Sequence, residues 1–206
     1  ATGGGVWLID PQVFRASTLP RLVPDAPPTP AARRFDDEKH QKRPTRIARM
    51  FDRIAPTYDV LNHLLSANID RRWRAKAVRL LALEGREDVL DVCTGTGDLA
   101  VALLEGGAHS VEGCDFAPEM IRLAKAKAGD RIGFRVADAL DLPYADASFD
   151  VATVAFGVRN FHDLDRGLTE LARVLKPGGR LLVLEFSRPP NPVVRGVYDT
   201  YSMVVL

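Results

Sequence analysis

Cysteine is nearly absent from this chain: Cys93 and Cys114 are the only two in 206 residues. A disulfide-stapled secreted scaffold is thereby excluded, and the two thiols read as packing residues in a reducing compartment. Histidine is almost as scarce. His40, His63, His109 and His162 show none of the close spacings by which metal ligands are grouped, so no metal site is expected. No apolar run approaches the ~20 residues of a membrane-spanning helix. Neither sign of charge is in excess, since 28 Lys and Arg against 27 Asp and Glu leave a net charge of +1. That balance gives no reason to expect nucleic acid as the main partner. What is present, 46% hydrophobic and 27% charged residues, suits one globular domain with a sizeable core.

Proline is concentrated rather than scarce. Pro20, Pro24, Pro27, Pro28 and Pro30 crowd one stretch of residues 1–34, which reads as an extended, poorly ordered segment. It has no convincing apolar run or small-residue cleavage site, so it does not read as a signal peptide. Residues 35–84 turn helical and form an N-terminal cap. Ile47, Met50, Phe51 and Ile54 share one face at i, i+3, i+4, i+7, and Pro56 ends that helix. A short helix is expected over 58–66. A third, over 70–83, has Asp70 as its N-cap and Trp73, Ala77, Leu80 and Leu81 inward. The cap is rich in cations, among them Arg71, Arg72, Arg74, Lys76 and Arg79. They form a solvated face, or a basic amphipathic surface that rests on an anionic membrane.

From residue 85 onward strands and helices alternate. Strands are expected at 88–92, 110–114, 132–136, 149–155 and 180–186, with helices at 97–105, 118–127 and 163–175. Residues 176–179, Lys-Pro-Gly-Gly, end the last helix with a turn. The pattern predicts an α/β fold, a doubly wound and mainly parallel sheet whose ligands sit at the carboxyl ends of the strands.

The chain is organised around residues 89–100. An apolar strand ends in an acid, Asp91, and runs into Cys93-Thr94-Gly95-Thr96-Gly97-Asp98 at the start of a helix. Gly95 and Gly97 permit a sharp turn and close approach of a ligand to the backbone. The helix start adds free N–H groups. This loop is a cofactor cradle or only a tight turn between strand and helix. Asp115 ends the next strand, where an acid can hold a ribose hydroxyl pair. That spacing suits NAD and S-adenosylmethionine equally. Asp138-Ala139, after the third strand, offers an acceptor for an adenine amino group beside a small residue.

Three stretches together resemble the ubiquinone/menaquinone biosynthesis C-methyltransferase family, a branch of the class I, Rossmann-like S-adenosylmethionine-dependent methyltransferases. They are residues 51–62 (Phe-Asp-Arg-Ile-Ala-Pro-Thr-Tyr-Asp-Val-Leu-Asn) running on to Arg72-Trp73, the 91–98 loop, and Phe156-Gly157-Val158-Arg159-Asn160 with residues 173–179 and Glu185-Phe186-Ser187. The resemblance covers residues 45–206. It implies S-adenosylmethionine as cofactor, with contacts at Thr96, Asp115, Asp138 and Ala139, and the reading of the loop as a cradle adds Asp91, Thr94, Gly95 and Gly97. It implies C-methylation of a polyprenylated hydroquinone, demethylmenaquinol or 2-methoxy-6-polyprenyl-benzoquinol, in menaquinone or ubiquinone biosynthesis. Arg159 and Asn160 are the expected catalytic pair, polarising the ring hydroxyl or its oxyanion. Tyr58, Asp59 and Asn62 are expected to close over the substrate. Such an enzyme would work in the cytoplasm, touching the inner face of the membrane through the basic cap.

Some positions depart from the family pattern. Cys93 stands where the general methyltransferase loop has its first glycine, Asp70 where the family often has a histidine, and Ala155 where some members have a cofactor-contacting serine. The family's last two strands, one of them antiparallel, have no counterpart before Leu206. The strand at 180–186 is therefore expected to be an open edge. Two other classes share the fold, an NAD-dependent oxidoreductase and a non-catalytic binding module. The first lacks an evident second substrate domain or catalytic pair.

Overall fold

The computed structural model describes residues 12–15 and 69–185. A six-stranded sheet carries helices on both faces. The strands are β1 (Gln12–Arg15), β2 (Asp88–Val92), β3 (Ser110–Asp115), β4 (Gly133–Val136), β5 (Phe149–Ala155) and β6 (Leu175–Leu184). The helices are α1 (Ile69–Leu81), α2 (Asp98–Glu105), α3 (Pro118–Ala128) and α4 (Leu164–Val174). The order across the sheet is β1-β6-β5-β2-β3-β4, and every pairing is parallel except β1 with β6. The order reverses direction at β2, which places a crevice at the carboxyl ends of β2, β3 and β5.

Successive strand residues feed opposite cores, as the period of two requires. Val89, Val111, Val151, Leu182 and Leu184 pack under α1, α2 and α3 with Leu81, Leu99, Leu103 and Phe134. Leu90, Val92, Ala152, Val154 and Leu181 pack under α4 with Leu171 and Val174. A central strand is apolar on both sides because both sides are covered. Each fully buried leucine or valine stabilises the fold by roughly 1.5–3 kcal/mol.

The α/β architecture and its alternation match the expectation from sequence, with four differences. First, α4 ends at Val174 and β6 begins at once, so residues 176–179 are not a turn before the strand. They form a bulge within it: Phe149 pairs with Leu175 and Val151 already pairs with Arg180. Gly178 takes φ 82° there, a left-handed conformation that favours glycine. Second, the open edge expected at this strand is occupied. β1, from the Pro-rich N-terminal stretch, pairs antiparallel with it, Gln12 opposite Val183 and Arg15 opposite Arg180. Third, Asp70 lies inside α1 rather than capping it, and pairs with Arg74 at 2.8 Å. Fourth, Leu80 is exposed, while Ala77 and Leu81 are buried with Trp73 and Val78 packed beside them. The inward stripe is centred on 70, 74, 77 and 81, which leaves Trp73 at its margin and Leu80 beyond it. The expected helices over 47–54 and 58–66 lie outside the described residues.

Candidate functional site

A cleft opens at the carboxyl ends of β2, β3 and β5. Its walls are the loop after β2 (Cys93, Thr94, Gly95, Thr96, Asp98), Asp115 and Phe116 after β3, Met120 of α3, Ala155, Phe156, Gly157 and Asn160 after β5, and Arg74 of α1. Asp91 contributes from the end of β2. The empty space in and above the cleft is about 790 Å³.

The loop holds its shape through unusual backbone. Gly95 and Gly97 have φ 55° and 84°, and Cys93 has φ 56°. The left-handed conformation at 93 is why a glycine suits this position in the general loop, and Cys93 adopts it without that freedom. Gly157 makes room for it: a Cβ there would stand 2.5 Å from Cys93 Cβ and 2.7 Å from its sulfur. Burial first, then the surrounding carboxylates, pushes the Cys93 thiol well above its ordinary value. Partly exposed, it lines the cleft while packing against Gly157.

Asp91 is 1% exposed. One carboxylate oxygen accepts the Thr153 hydroxyl at 2.6 Å and the other accepts the Thr94 hydroxyl at 2.7 Å. Burial pushes its pKa up to about 6, against the pull of these two hydrogen bonds. Asp115, also buried, accepts the backbone N–H of Gly95 at 3.0 Å and that of Ala117 at 3.0 Å. It ties the glycine loop to the start of α3. Thr96 accepts from Lys127 Nζ at 3.1 Å, and the same ammonium lies 2.5 Å from Asp98.

Of the residues expected at a cofactor, Asp91, Thr94, Gly95, Thr96 and Asp115 line this cleft together. Gly97 stands behind them as the N-cap of α2. Asp138 and Ala139 do not line it. Asp138 is an exposed acid that accepts the Leu140 N–H at 3.0 Å, and Ala139 is buried in the core under α4. Of the expected catalytic pair, Asn160 lines the cleft, at the end of a single 3₁₀ turn, Val158–Asn160. Arg159 stands half-exposed beside it, paired with Glu185 at 3.1 Å and lying over the Phe156 ring at 5.8 Å. Tyr58, Asp59 and Asn62 lie outside the described residues.

Sequence reasoning missed three participants. Arg74 was one of many cations in its segment, and only its i, i+4 relation to Asp70 hinted at a shared face. Thr153 sits 62 residues from Asp91 and meets it because β5 pairs with β2 in that register. Arg173 is the third. Its guanidinium bonds Glu170, Asp146 and the carbonyls of Leu142 and Tyr144, and so fastens the segment after β4 to α4.

Comparison with known proteins bears on this arrangement. Residues 38–206 match the model of the ubiE/COQ5 methyltransferase family. The ubiquinone/menaquinone biosynthesis C-methyltransferase UbiE of Geobacter sp. (strain M21) is 49% identical over 168 residues, covering 78% of this chain and 72% of that protein. The demethylmenaquinone methyltransferase of Thermus thermophilus is 50% identical over 161 residues, covering 76% and 73%. Among solved structures, the YcgJ protein of Bacillus subtilis aligns with a TM-score of 0.56 at 26% identity, over 64% of this chain and 58% of that one. A SAM dependent methyltransferase from Aquifex aeolicus shares the fold with a TM-score of 0.53 at 23% identity, over 58% and 66%. The chain thus spans less than two thirds of either solved chain.

Proposed function

The chain belongs to the ubiE/COQ5 methyltransferase family, and from that premise we propose that it methylates a ring carbon of a polyprenylated hydroquinone with S-adenosylmethionine. Demethylmenaquinol is the favoured substrate over the benzoquinol, in keeping with the Thermus relative's name. The observation that carries the reading is the acid-lined cleft over the glycine loop, inside the stretch that matches the family.

When bound, S-adenosylmethionine supplies an electrophilic methyl group on a sulfonium. The residues present fit such a ligand. Asp91, Asp98 and Asp115 line the cleft, a balance that favours a molecule with a fixed positive charge. A Cβ at Gly95 would meet nothing within 4 Å, so the loop presents bare backbone to open space. Asp115 retains acceptor capacity for a ribose diol beside the two amides it serves. Asp138 and Ala139, which follow β4 and do not line the cleft, are assigned to the adenine on the family resemblance alone. Leu99, Phe116, Met120 and Phe156 supply apolar wall that keeps water from the reacting centre.

Carbon attack needs an electron-rich ring, and positioning is most of what the protein supplies. Asn160 is assigned to hold the ring hydroxyl. Arg159 stabilises the developing oxyanion, sharing itself between Glu185 and the substrate. Tyr58, Asp59 and Asn62 complete the substrate side. The exposed Arg71, Arg72, Lys76 and Arg79 of α1 support peripheral contact with an anionic bilayer, where such a quinol resides. Among the described residues no helix is long and apolar enough to cross a membrane. Deleting residues 45–79 should abolish sedimentation with anionic vesicles, and unchanged sedimentation would sink that contact.

The activity is tested by incubating the chain with methyl-labelled S-adenosylmethionine and demethylmenaquinol. Label is expected in the quinol ring, with loss of transfer in Asn160→Ala. Turnover that instead consumes NADH, or tight binding of S-adenosylmethionine with no transfer to either quinol class, would overturn it.

A further inference from the structure

α1 brings to the cleft a charge that the glycine-loop motif does not contain. Arg74 lies one turn after Asp70 on the same face, and its side chain is 17% exposed. One terminal nitrogen lies 2.8 Å from Asp70, whose own side chain is 8% exposed. This pair withdraws the guanidinium from solvent and fixes it from behind. The other terminal nitrogen lies 3.5 Å from Asp98. That is an ion-pair distance, longer than a good N–H···O hydrogen bond. Asp98 is meanwhile held more closely by Lys127, at 2.5 Å. A guanidinium carries five N–H donors in a rigid fork. One close ion pair and one distant one leave N–H donors for a ligand.

The charges point the same way. Among the described residues lining the cleft, Asp91, Asp98 and Asp115 are acids and Arg74 is the one cation. A sulfonium and an α-ammonium are attracted to such a cleft. A carboxylate on the same ligand is repelled by the three acids and needs a cation to receive it. We infer that Arg74 receives the carboxylate of the cofactor's amino-acid end, so that α1 distinguishes S-adenosylmethionine from adenosyl sulfonium compounds that lack the carboxylate. The inference rests on the methyltransferase reading and adds to it a specificity-determining residue. Lysine is a poor replacement, because a point charge does not match a carboxylate fork to fork.

The test is calorimetric titration of the full chain with S-adenosylmethionine and with decarboxylated S-adenosylmethionine, which keeps the sulfonium, the amine and the adenosine. The unaltered protein should prefer the carboxylated ligand by at least about tenfold, the range of a charge-assisted hydrogen bond. Arg74→Met should bring the two affinities within about twofold of each other, through loss on S-adenosylmethionine alone, and Arg74→Lys should fall between. Because Arg74→Met takes an ion pair from the buried Asp70, the double variant Asp70→Asn/Arg74→Met is titrated beside it and should show the same collapsed preference. If the variants weaken both ligands equally, or leave the preference intact, Arg74 only braces α1 and the inference is overturned. Equal binding of both ligands by the unaltered protein overturns it too, while leaving the methyltransferase reading in place. Binding of neither ligand overturns that reading and the inference with it.

Discussion

At the scale of residues, Asp91 links the chemistry of the site to the stability of the fold. Its pKa, pushed up to about 6 by burial, lies above the ordinary value of 3.8. The folded chain therefore holds this proton more tightly than the unfolded chain does. The resulting stabilisation is full below pH 4 and is lost as pH rises through 6, by roughly 2–3 kcal/mol. Asp91→Asn removes that slope. Urea denaturation at a series of pH values should show the variant gaining on the unaltered protein between pH 4 and pH 7, and a constant difference would contradict it. Arg173 is the opposite case. Its hydrogen bond first of all holds the Glu170 carboxyl below its ordinary value of 4.5. That stabilisation is present above pH 4.5 and is lost as pH falls through the lowered value. Arg173→Ala removes all its bonds to Glu170, Asp146 and two carbonyls at once. A cost of about 2–3 kcal/mol at neutral pH is expected, read from the urea midpoint. Glu170→Gln should flatten the acid limb.

At the scale of elements, α1 and β1 complete the sheet from outside its alternating units. α1 is joined to the glycine loop by Arg74–Asp98 and to the tip of β5 by Trp73 against Phe156, ring centroids 6.2 Å apart. Arg180 of β6 reaches back to the carbonyl of Leu81 and to Glu87, which holds the end of α1 to β6. Among the described residues β1 covers the outer edge of β6, and an unpaired edge carrying Leu181, Leu182, Val183 and Leu184 is a template for association. Removing residues 1–16 should therefore raise amide hydrogen exchange along β6 and leave β2 and β3 protected. Aggregation at a lower temperature should accompany it. Unchanged exchange in β6 would mean that β1 contributes nothing to the edge.

At the scale of the whole molecule, the cleft exists because the strand order reverses at β2 and the loops after β2, β3 and β5 converge there. A ligand bound in it touches three strands and α1, so its binding energy adds to the stability of the entire sheet. S-adenosylmethionine at one hundred times its dissociation constant should stabilise the protein by about 2.7 kcal/mol. The melting temperature should rise by roughly 5–10 °C, given the heat of unfolding of a chain this size. NADH at the same concentration should leave it unmoved. A rise with NADH and none with S-adenosylmethionine would reverse the assignment of the cradle.

Sequence by itself determined the parts whose physics is local. The strands at 88–92 and 149–155 are legible because a strand covered on both faces is mostly apolar, and the observed β2 and β5 have those bounds. The glycine loop is legible because left-handed backbone at Gly95 and Gly97 demands residues without a Cβ. Asp163 announces the start of α4, and its carboxylate accepts the Arg166 N–H. Only the tertiary structure decided what depends on partners distant along the chain. Thr153 serves Asp91 through the register of two parallel strands, and nothing near either residue encodes that pairing. β1 finds β6 across more than half the chain, from a proline-rich segment with no strand signature of its own. Arg74 differs from its neighbouring cations only in which way α1 is rotated when it packs, a choice made by Ala77 and Leu81 entering the core. Local backbone preference and periodicity act over a few residues, whereas a binding site is assembled from the ends of several strands. The glycine loop was therefore written in the sequence, and the charges that surround it were placed by the fold.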